Sequence, residues 1–423
     1  MDKHTQQLKG TKEALGRYNA RLVLMTLLEQ DGLSRAEIAR ITGLSRATVS
    51  EIVARLIHEG FVAEGARDNR RGGKPSILLE LEPGARMVVS VDLSGPNFRG
   101  ALIDLRGNLA IQRIAPFDRD GGVSDVFTHI LGLIESLIVE AKVPVIGIGV
   151  GCPGLVNPHE GVLRLALNQG WKNFQLGSAL AEHFTLPTWL MNDHSAAALG
   201  EYVFGGHPTG SNLALIRYVA GIGLGMVLDG SPFLGDDFSS GEIGHVVVEP
   251  NGELCDCGNR GCLERLIGGR TIARKVRESI DSRGDTEMYP LKQLDDRALL
   301  DELLLRFRQG DPFPRPFYDE IATYLGDILA SMQGILNVRE VVLSGPLPTF
   351  DRHFIEKLRG EMAKRILPEM SERIHISHSV LGEDIVLLGT AAHVLSRELG
   401  IYEPGNPLTG YRSLYPSLGG AMA

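Results

Sequence analysis

Three of the four cysteines in this 423-residue chain, Cys255, Cys257 and Cys262, lie close together and follow His245 in a His-x9-Cys-x-Cys-x4-Cys arrangement. Three thiolates and one imidazole make a closed tetrahedral zinc site, with no open position for a catalytic water. A structural Zn2+ is the expectation, with Gly258 and Gly261 letting the segment turn tightly enough for three sulfurs to reach one ion. Disulfides would be the competing use of clustered cysteines, and a cytoplasmic setting disfavours them. Cys152 stands apart and reads as a small buried side chain.

A second group of residues suits nucleic-acid chemistry. Arg46, Ala47, Thr48 and Ser50 fall near the start of one short helical pattern, where a recognition helix reaches base edges and phosphates in the major groove. Ser34, Arg35 and Ser45, at the starts of the two short helices, complete the candidate contacts from this pair. Downstream, the segment ARDNRRGGKPS carries Arg67, Arg70, Arg71 and Lys74, a basic glycine-rich wing able to lie over a phosphate backbone. The formal charge is −9, which argues against DNA binding by the whole surface, but residues 1–80 carry +3. The asymmetry permits DNA contact by the N-terminal segment and disfavours it elsewhere.

Local signals supply the elements that would position these groups. Residues 12–30 have the apolar spacing of a helix, with Leu15, Leu22, Leu24, Leu27 and Leu28 supplying much of the buried face before Asp31-Gly32 stops it. Ser34 and Glu37 form a capping box, Gly43 suits a left-handed helix end, and Ser45 caps a third helix. In that helix Val49, Ile52, Val53, Leu56 and Ile57 make an inward stripe. Strands over 61–64 and 77–81 enclose the wing, giving a winged helix-turn-helix.

From residue 86 the texture changes to alternating strands and helices. Strands are expected over 87–92, 99–104, 109–114 and 145–150, with a helix over 123–141, an α/β pattern. A second α/β lobe begins near Leu213. No uncharged apolar run reaches the roughly 18 residues of a membrane helix, and the polar N-terminus lacks the apolar core of a secretory signal, so a cytoplasmic protein without a membrane partner is expected.

The segment GEIGHVVVEPNGELCDCGNRGCLE resembles the signature of the ROK family of bacterial sugar kinases, repressors and related proteins. The resemblance spans nearly the whole chain, since many ROK regulators carry a winged helix-turn-helix in front. It implies an actin-like, two-lobed α/β fold with a sugar cleft between the lobes. The expected layout is a DNA-binding domain over 1–82 and a first lobe over 83–205, completed by about 378–400. A second lobe over 206–377 contains the zinc module 242–264, and 401–423 forms a tail.

The resemblance also assigns sugar contacts. GVGCPGLVNP is similar to the family's Pro-Gly loop at Pro153 and Gly154, ALNQGW to its sugar loop at Asn168, and LMNDHSAAALGE to its Asn-Asp motif at Asn192 and Asp193. Glu242, His245 and Glu264 match positions that contact sugar hydroxyls. Carboxylates and amides suit a pyranose, whose hydroxyls both donate and accept. The nucleotide loops depart from the kinase pattern. Asp-x-Gly-Gly-Thr reads Asp92-Leu93-Ser94-Gly95-Pro96, Gly-Thr-Gly reads Val219-Ala220-Gly221, and the Gly-rich adenosine motif reads Ser344-Gly345-Pro346. Side chains and a proline enter where backbone must approach phosphate, and two hydroxyls are lost.

The reading implied is a sugar-responsive transcriptional regulator of carbohydrate metabolism, a repressor without kinase activity. Its partners would be double-stranded operator DNA, a sugar or sugar-phosphate effector, and a second copy or more in a homodimer or homotetramer. An active sugar kinase with a DNA-binding extension and a repressor controlled by a protein partner are the alternatives.

Overall fold

The computed structural model describes residues 12–68, 76–116, 122–167, 170–208, 210–284, 286–347 and 351–402. Arg70, Arg71, Lys74 and Asn168, and most of the expected tail, lie outside them.

The chain opens with α1 (Lys12–Glu29), β1 (Leu33–Ser34), α2 (Arg35–Thr42), α3 (Arg46–His58), β2 (Val62–Asp68) and β3 (Ser76–Leu81). The capping box is formed, Ser34 Oγ accepting from Glu37 N while the Glu37 carboxylate accepts from Ser34 N at 3.0 Å. Gly43 closes α2 in the left-handed conformation, and Ser45 caps α3. Val49, Ile52, Val53 and Leu56 are buried, with Ile57 packed at the edge of the same core. α1 departs from expectation: Leu15 is 58% exposed, and the buried residues are Val23, Leu24, Met25, Leu27 and Leu28. Burial in α1 is thus confined to its C-terminal half, and Leu15 near its start is left to solvent. The sheet order is β1-β3-β2, with Leu33 paired to Leu79. Two residues are too few for β1 to have shown an alternating pattern.

The larger body contains two five-stranded sheets. The first lobe has β4 (Met87–Asp92), β5 (Phe98–Ile103), β6 (Leu109–Ala115), α4 (Gly122–Glu140), β7 (Val145–Cys152), the small sheet β8 (Leu155–Asn157), β9 (Val162–Ala166) and β10 (Trp171–Phe174), then α5 (Leu176–Phe184), β11 (Thr188–Asn192) and α6 (Asp193–Phe204). Its main sheet runs β11-β7-β4-β5-β6, parallel across β11, β7 and β4 and antiparallel beyond. The second contains β12 (Leu213–Tyr218), β13 (Ile222–Leu228), β14 (Ser231–Pro232), α7 (Leu263–Ile267), α8 (Gly269–Arg283), α9 (Asp296–Arg308), α10 (Arg315–Leu336), β15 (Glu340–Ser344), α11 (Arg352–Ala363), α12 (Pro368–Glu372) and β16 (His375–His378), and its sheet runs β14-β13-β12-β15-β16. α13 (Ile385–Leu399) returns to pack on β7, β4 and β11.

α6 and α13 lie against each other between the two sheets. Glycines make the approach possible: a Cβ on Gly389 would sit 1.7 Å from Ala196 O, and one on Gly200 would sit 2.5 Å from Ile385 O. The buried cluster that includes this helix pair extends without a break into the winged helix. At the junction Ile401 and Tyr402, expected to start a tail, are buried, and Tyr402 Oη donates to Leu105 O at 2.6 Å. Tyr402 also meets Phe204 edge-on, with ring centroids 5.4 Å apart. Arg106 pairs with Asp31, whose other oxygen accepts from Leu81 N, and Arg86 lies over the Phe61 ring.

Candidate functional site

Asp193 sits where β11 hands over to α6. Asn192 is the N-cap, its Oδ1 accepting from His194 N at 2.9 Å and Ser195 N at 3.0 Å. Its Nδ2 donates to Gly154 O at 2.9 Å, tying the Pro153-Gly154 loop to the helix start. The Asn192 amide therefore positions the site from behind. Gly154 has φ 74, and a Cβ there would lie 2.2 Å from Leu165 O, so this turn requires glycine.

The Asp193 carboxylate is buried, and a guanidinium from the other lobe meets it. Arg217, on β12, donates from one terminal nitrogen to Asp193 Oδ2 at 2.7 Å and from the other to Ser94 Oγ at 3.1 Å. Ser94 Oγ in turn donates to Asp92 Oδ1 at 2.6 Å. One cation thus faces two aspartates of the first lobe, directly and through a hydroxyl. Sequence reasoning missed Arg217; the available signal was a charge inside the apolar run LALIRYV, which has to find a partner once buried. His194 was missed as well. Its ring fills the space beside Gly223, where a Cβ would lie 2.2 Å from Nε2, and burial holds the imidazole below its ordinary value.

The same cleft receives the zinc-module side. Glu264 Oε2 accepts from Ile222 N at 3.3 Å and presses on Gly221, where a Cβ would lie 2.4 Å away. Burial, with Asp193 and Glu264 nearby, pushes the Glu242 carboxyl up to about 7. The structure therefore brings Asp193, Glu242 and Glu264 into one electrostatic neighbourhood, together with Arg217 and His194. The segment Val219-Ala220-Gly221 is held closely by the rest of the protein. Val219 O lies where a Cβ on Gly269 would clash at 2.0 Å, and Ala220 O accepts from Arg270 N.

In the metal cluster, donor atoms of His245, Cys255, Cys257 and Cys262 all lie within 4.8 Å of one another. Cys255 Sγ is 3.6 Å from His245 Nδ1, and Cys257 Sγ is 3.6 Å from Cys262 Sγ. A tetrahedron with bonds of about 2.3 Å to sulfur has edges of about 3.8 Å, so the donor set fits a zinc ion. Burial and the neighbouring Cys257 and Cys255 push the Cys262 thiol up to about 12, a penalty that a coordinated cation reverses. The segment is folded by main-chain bonds around Gly261, which has φ 69 and would carry a Cβ 1.5 Å from Glu249 O.

In the candidate DNA interface, Arg46, Ala47 and Ser50 are exposed on α3. Ser50 Oγ donates back to Arg46 O, and Ser45 Oγ accepts from Thr48 N. Ser34 is different: it is 6% exposed with its hydroxyl in the capping box, which turns it away from a ligand. Arg35 pairs with Glu64 of the wing strand at 2.8 Å, and Arg67 is exposed. Among the described residues no helix is long and apolar enough to cross a membrane.

Comparison with known proteins matches this architecture in both parts. Residues 18–72 match the MarR family, and residues 88–397 match the ROK family. The xylose repressor of Caldicellulosiruptor bescii is 28% identical over 397 residues, covering 93% of this chain and 99% of that one. The glucokinase of Thermotoga maritima is 30% identical over 311 residues, covering 73% of this chain and 98% of the enzyme. A solved ROK family transcriptional regulator, a homologue of the Escherichia coli MLC protein, superimposes with a TM-score of 0.77 at 23% identity, covering 92% of this chain and 98% of that one. A match that takes in both sheets and the helices between them leaves one assignment: the chain belongs to the ROK family.

Proposed function

We propose that this protein is a sugar-responsive DNA-binding repressor of carbohydrate-metabolism genes, with no kinase activity of its own. One observation carries the reading: α6 begins at Asp193 in the cleft and ends at Phe204, against the residues that seat the winged helix. A change at the cleft thus has a stiff element along which to reach the DNA-binding domain. The similarity to repressors along nearly the whole chain supports the same conclusion.

In this reading Pro153, Gly154, Asn168, Asn192, Asp193, Glu242, His245 and Glu264 form or support the sugar site. Asp193 and Glu264 accept hydroxyl protons, while Asn192 holds the Pro-Gly loop. His245 offers a zinc its Nδ1, which leaves Nε2 for a hydroxyl. Zinc would fix the segment between Glu242 and Glu264, holding both carboxylates in place. Arg46, Ala47, Thr48 and Ser50 of α3, with Arg35 and the basic wing, would contact DNA. A dimer would read two half-sites about one helical turn, or a multiple, apart.

The departures in the nucleotide loops support the reading without kinase activity, and contacts in the cleft agree with it. The resemblance gives Asp193 the role of general base in the kinases and places Asp92 in the first nucleotide loop. Here Asp193 is paired with Arg217, and Ser94 occupies Asp92. The test incubates purified protein with ATP and D-xylose, D-glucose or N-acetyl-D-glucosamine and follows ADP release, with thermal shifts recorded in parallel. The expected result is stabilisation by at least one sugar without ADP release. Sugar-dependent ADP release at enzyme-like rates would return the chain to the kinases.

A further inference from the structure

The charge in the cleft is unevenly shared. Arg217 meets Asp193 directly and Asp92 through Ser94, while Glu242 and Glu264 lie near Asp193, so carboxylates outnumber the guanidinium in this group. Both terminal nitrogens of Arg217 are already engaged, by Asp193 and by Ser94, and the side chain is largely enclosed. A phosphoryl dianion entering beside Asp193 would have to draw the guanidinium away and leave a buried carboxylate unpaired, which is strongly unfavourable. A neutral hydroxyl makes no such demand. Asp193 Oδ1 is only loosely held, 3.4 Å from Asn192 Nδ2 and 3.9 Å from His194 Nε2, so it can accept from a hydroxyl while Oδ2 keeps its ion pair. His194 Nδ1 is buried without a hydrogen-bond partner among the described residues.

We infer that the cleft takes an uncharged sugar in preference to its phosphate ester, and that Arg217 sets this preference as the residue positioning Asp193. The inference rests on the sugar-cleft reading and narrows it to one chemical class of effector. The test is isothermal titration of the full-length, zinc-loaded protein. The ligands are D-xylose, D-glucose and N-acetyl-D-glucosamine, and the phosphate esters D-glucose 6-phosphate and N-acetyl-D-glucosamine 6-phosphate. Wild type, Arg217→Met and Arg217→Lys are compared, and thermal unfolding reports whether each variant is folded.

The expected result is that a free sugar binds at least about 10-fold more tightly than any ester. Arg217→Met should lose at least about 10-fold in sugar affinity, and Arg217→Lys should recover part of that loss because the charge is retained. An ester that binds as tightly as the free sugars, or more tightly, overturns the inference alone. So does a sugar affinity unchanged in Arg217→Met. If Arg217→Met fails to fold, the wild-type ratio of sugar to ester and the Arg217→Lys titration decide by the same criteria. If neither free sugars nor esters bind, the sugar-cleft reading falls and takes this inference with it.

Discussion

At the residue scale, Asp193 joins three structures: it opens α6, receives Arg217 from the second lobe, and lies beside Glu242 and Glu264. Asp193→Asn would remove the charge that compensates a buried guanidinium and weaken acceptance from a sugar hydroxyl. A hydrogen bond to a charged group is worth about 1.5–3 kcal/mol, so sugar affinity should fall roughly 10- to 100-fold. Titration calorimetry would show this, and undiminished affinity would remove Asp193 from the site. The cysteines carry a separate prediction. Metal analysis of purified protein should find about one zinc per chain, and Cys257→Ser should lose it and lower the midpoint of thermal unfolding by more than about 5 °C. Retention of full stability after chelation would contradict a structural metal. The candidate metal cluster was legible because four donors in one short segment leave few other uses. Arg217 was not, because its partners lie at positions 94 and 193, and no local pattern joins three distant segments.

At the scale of elements, the α6–α13 pair leaves little slack, since backbone meets backbone at Gly200 and Gly389. The far end of α6 is equally tight: Phe204 lies against Gly107, where a Cβ would be 2.6 Å from the ring, and Gly107 adjoins the Arg106 that pairs with Asp31. Tyr402→Phe removes one buried hydrogen bond at this junction, to Leu105 O. It should cost about 1 kcal/mol of stability and reduce the effect of sugar on DNA binding, while sugar affinity measured without DNA stays near wild type. Unaltered coupling in that variant would mean the signal travels elsewhere. On α3, Arg46→Ala should weaken operator binding, and if Arg46 meets a phosphate the salt slope should fall by about 1. Anisotropy titrations at several salt concentrations would read both effects; no change in either would exclude Arg46 from the interface.

Most of these elements could be read beforehand, because caps and periodic apolar stripes are local. Ser34, Gly43 and Ser45 act as their residue types predict. Leu15 shows the limit of periodicity, which identifies an apolar face but does not say how far along a helix a neighbour extends. Ile401 and Tyr402 show another: a polar-looking chain end gave no sign that its first two residues complete the core beneath the winged helix.

In the whole molecule, one continuous core joins the winged helix to the helices that border the cleft between the lobes. Such a connection matters only if occupancy of the cleft changes the energy of the DNA-bound form, and a coupling of about 1–3 kcal/mol, or roughly 5- to 150-fold in affinity, is ample for regulation. The two-lobed architecture was legible from the strand–helix alternation and the family resemblance. The cross-lobe ion pair that sets the cleft's charge belongs to the tertiary structure alone.

The most direct measurement uses a labelled DNA site selected by the full-length protein itself and titrates a sugar found to bind the free protein into the protein–DNA complex without ATP. The account predicts a saturable change in DNA affinity within that 5- to 150-fold range, with the sugar recovered chemically unchanged. DNA affinity indifferent to saturating sugar would contradict it.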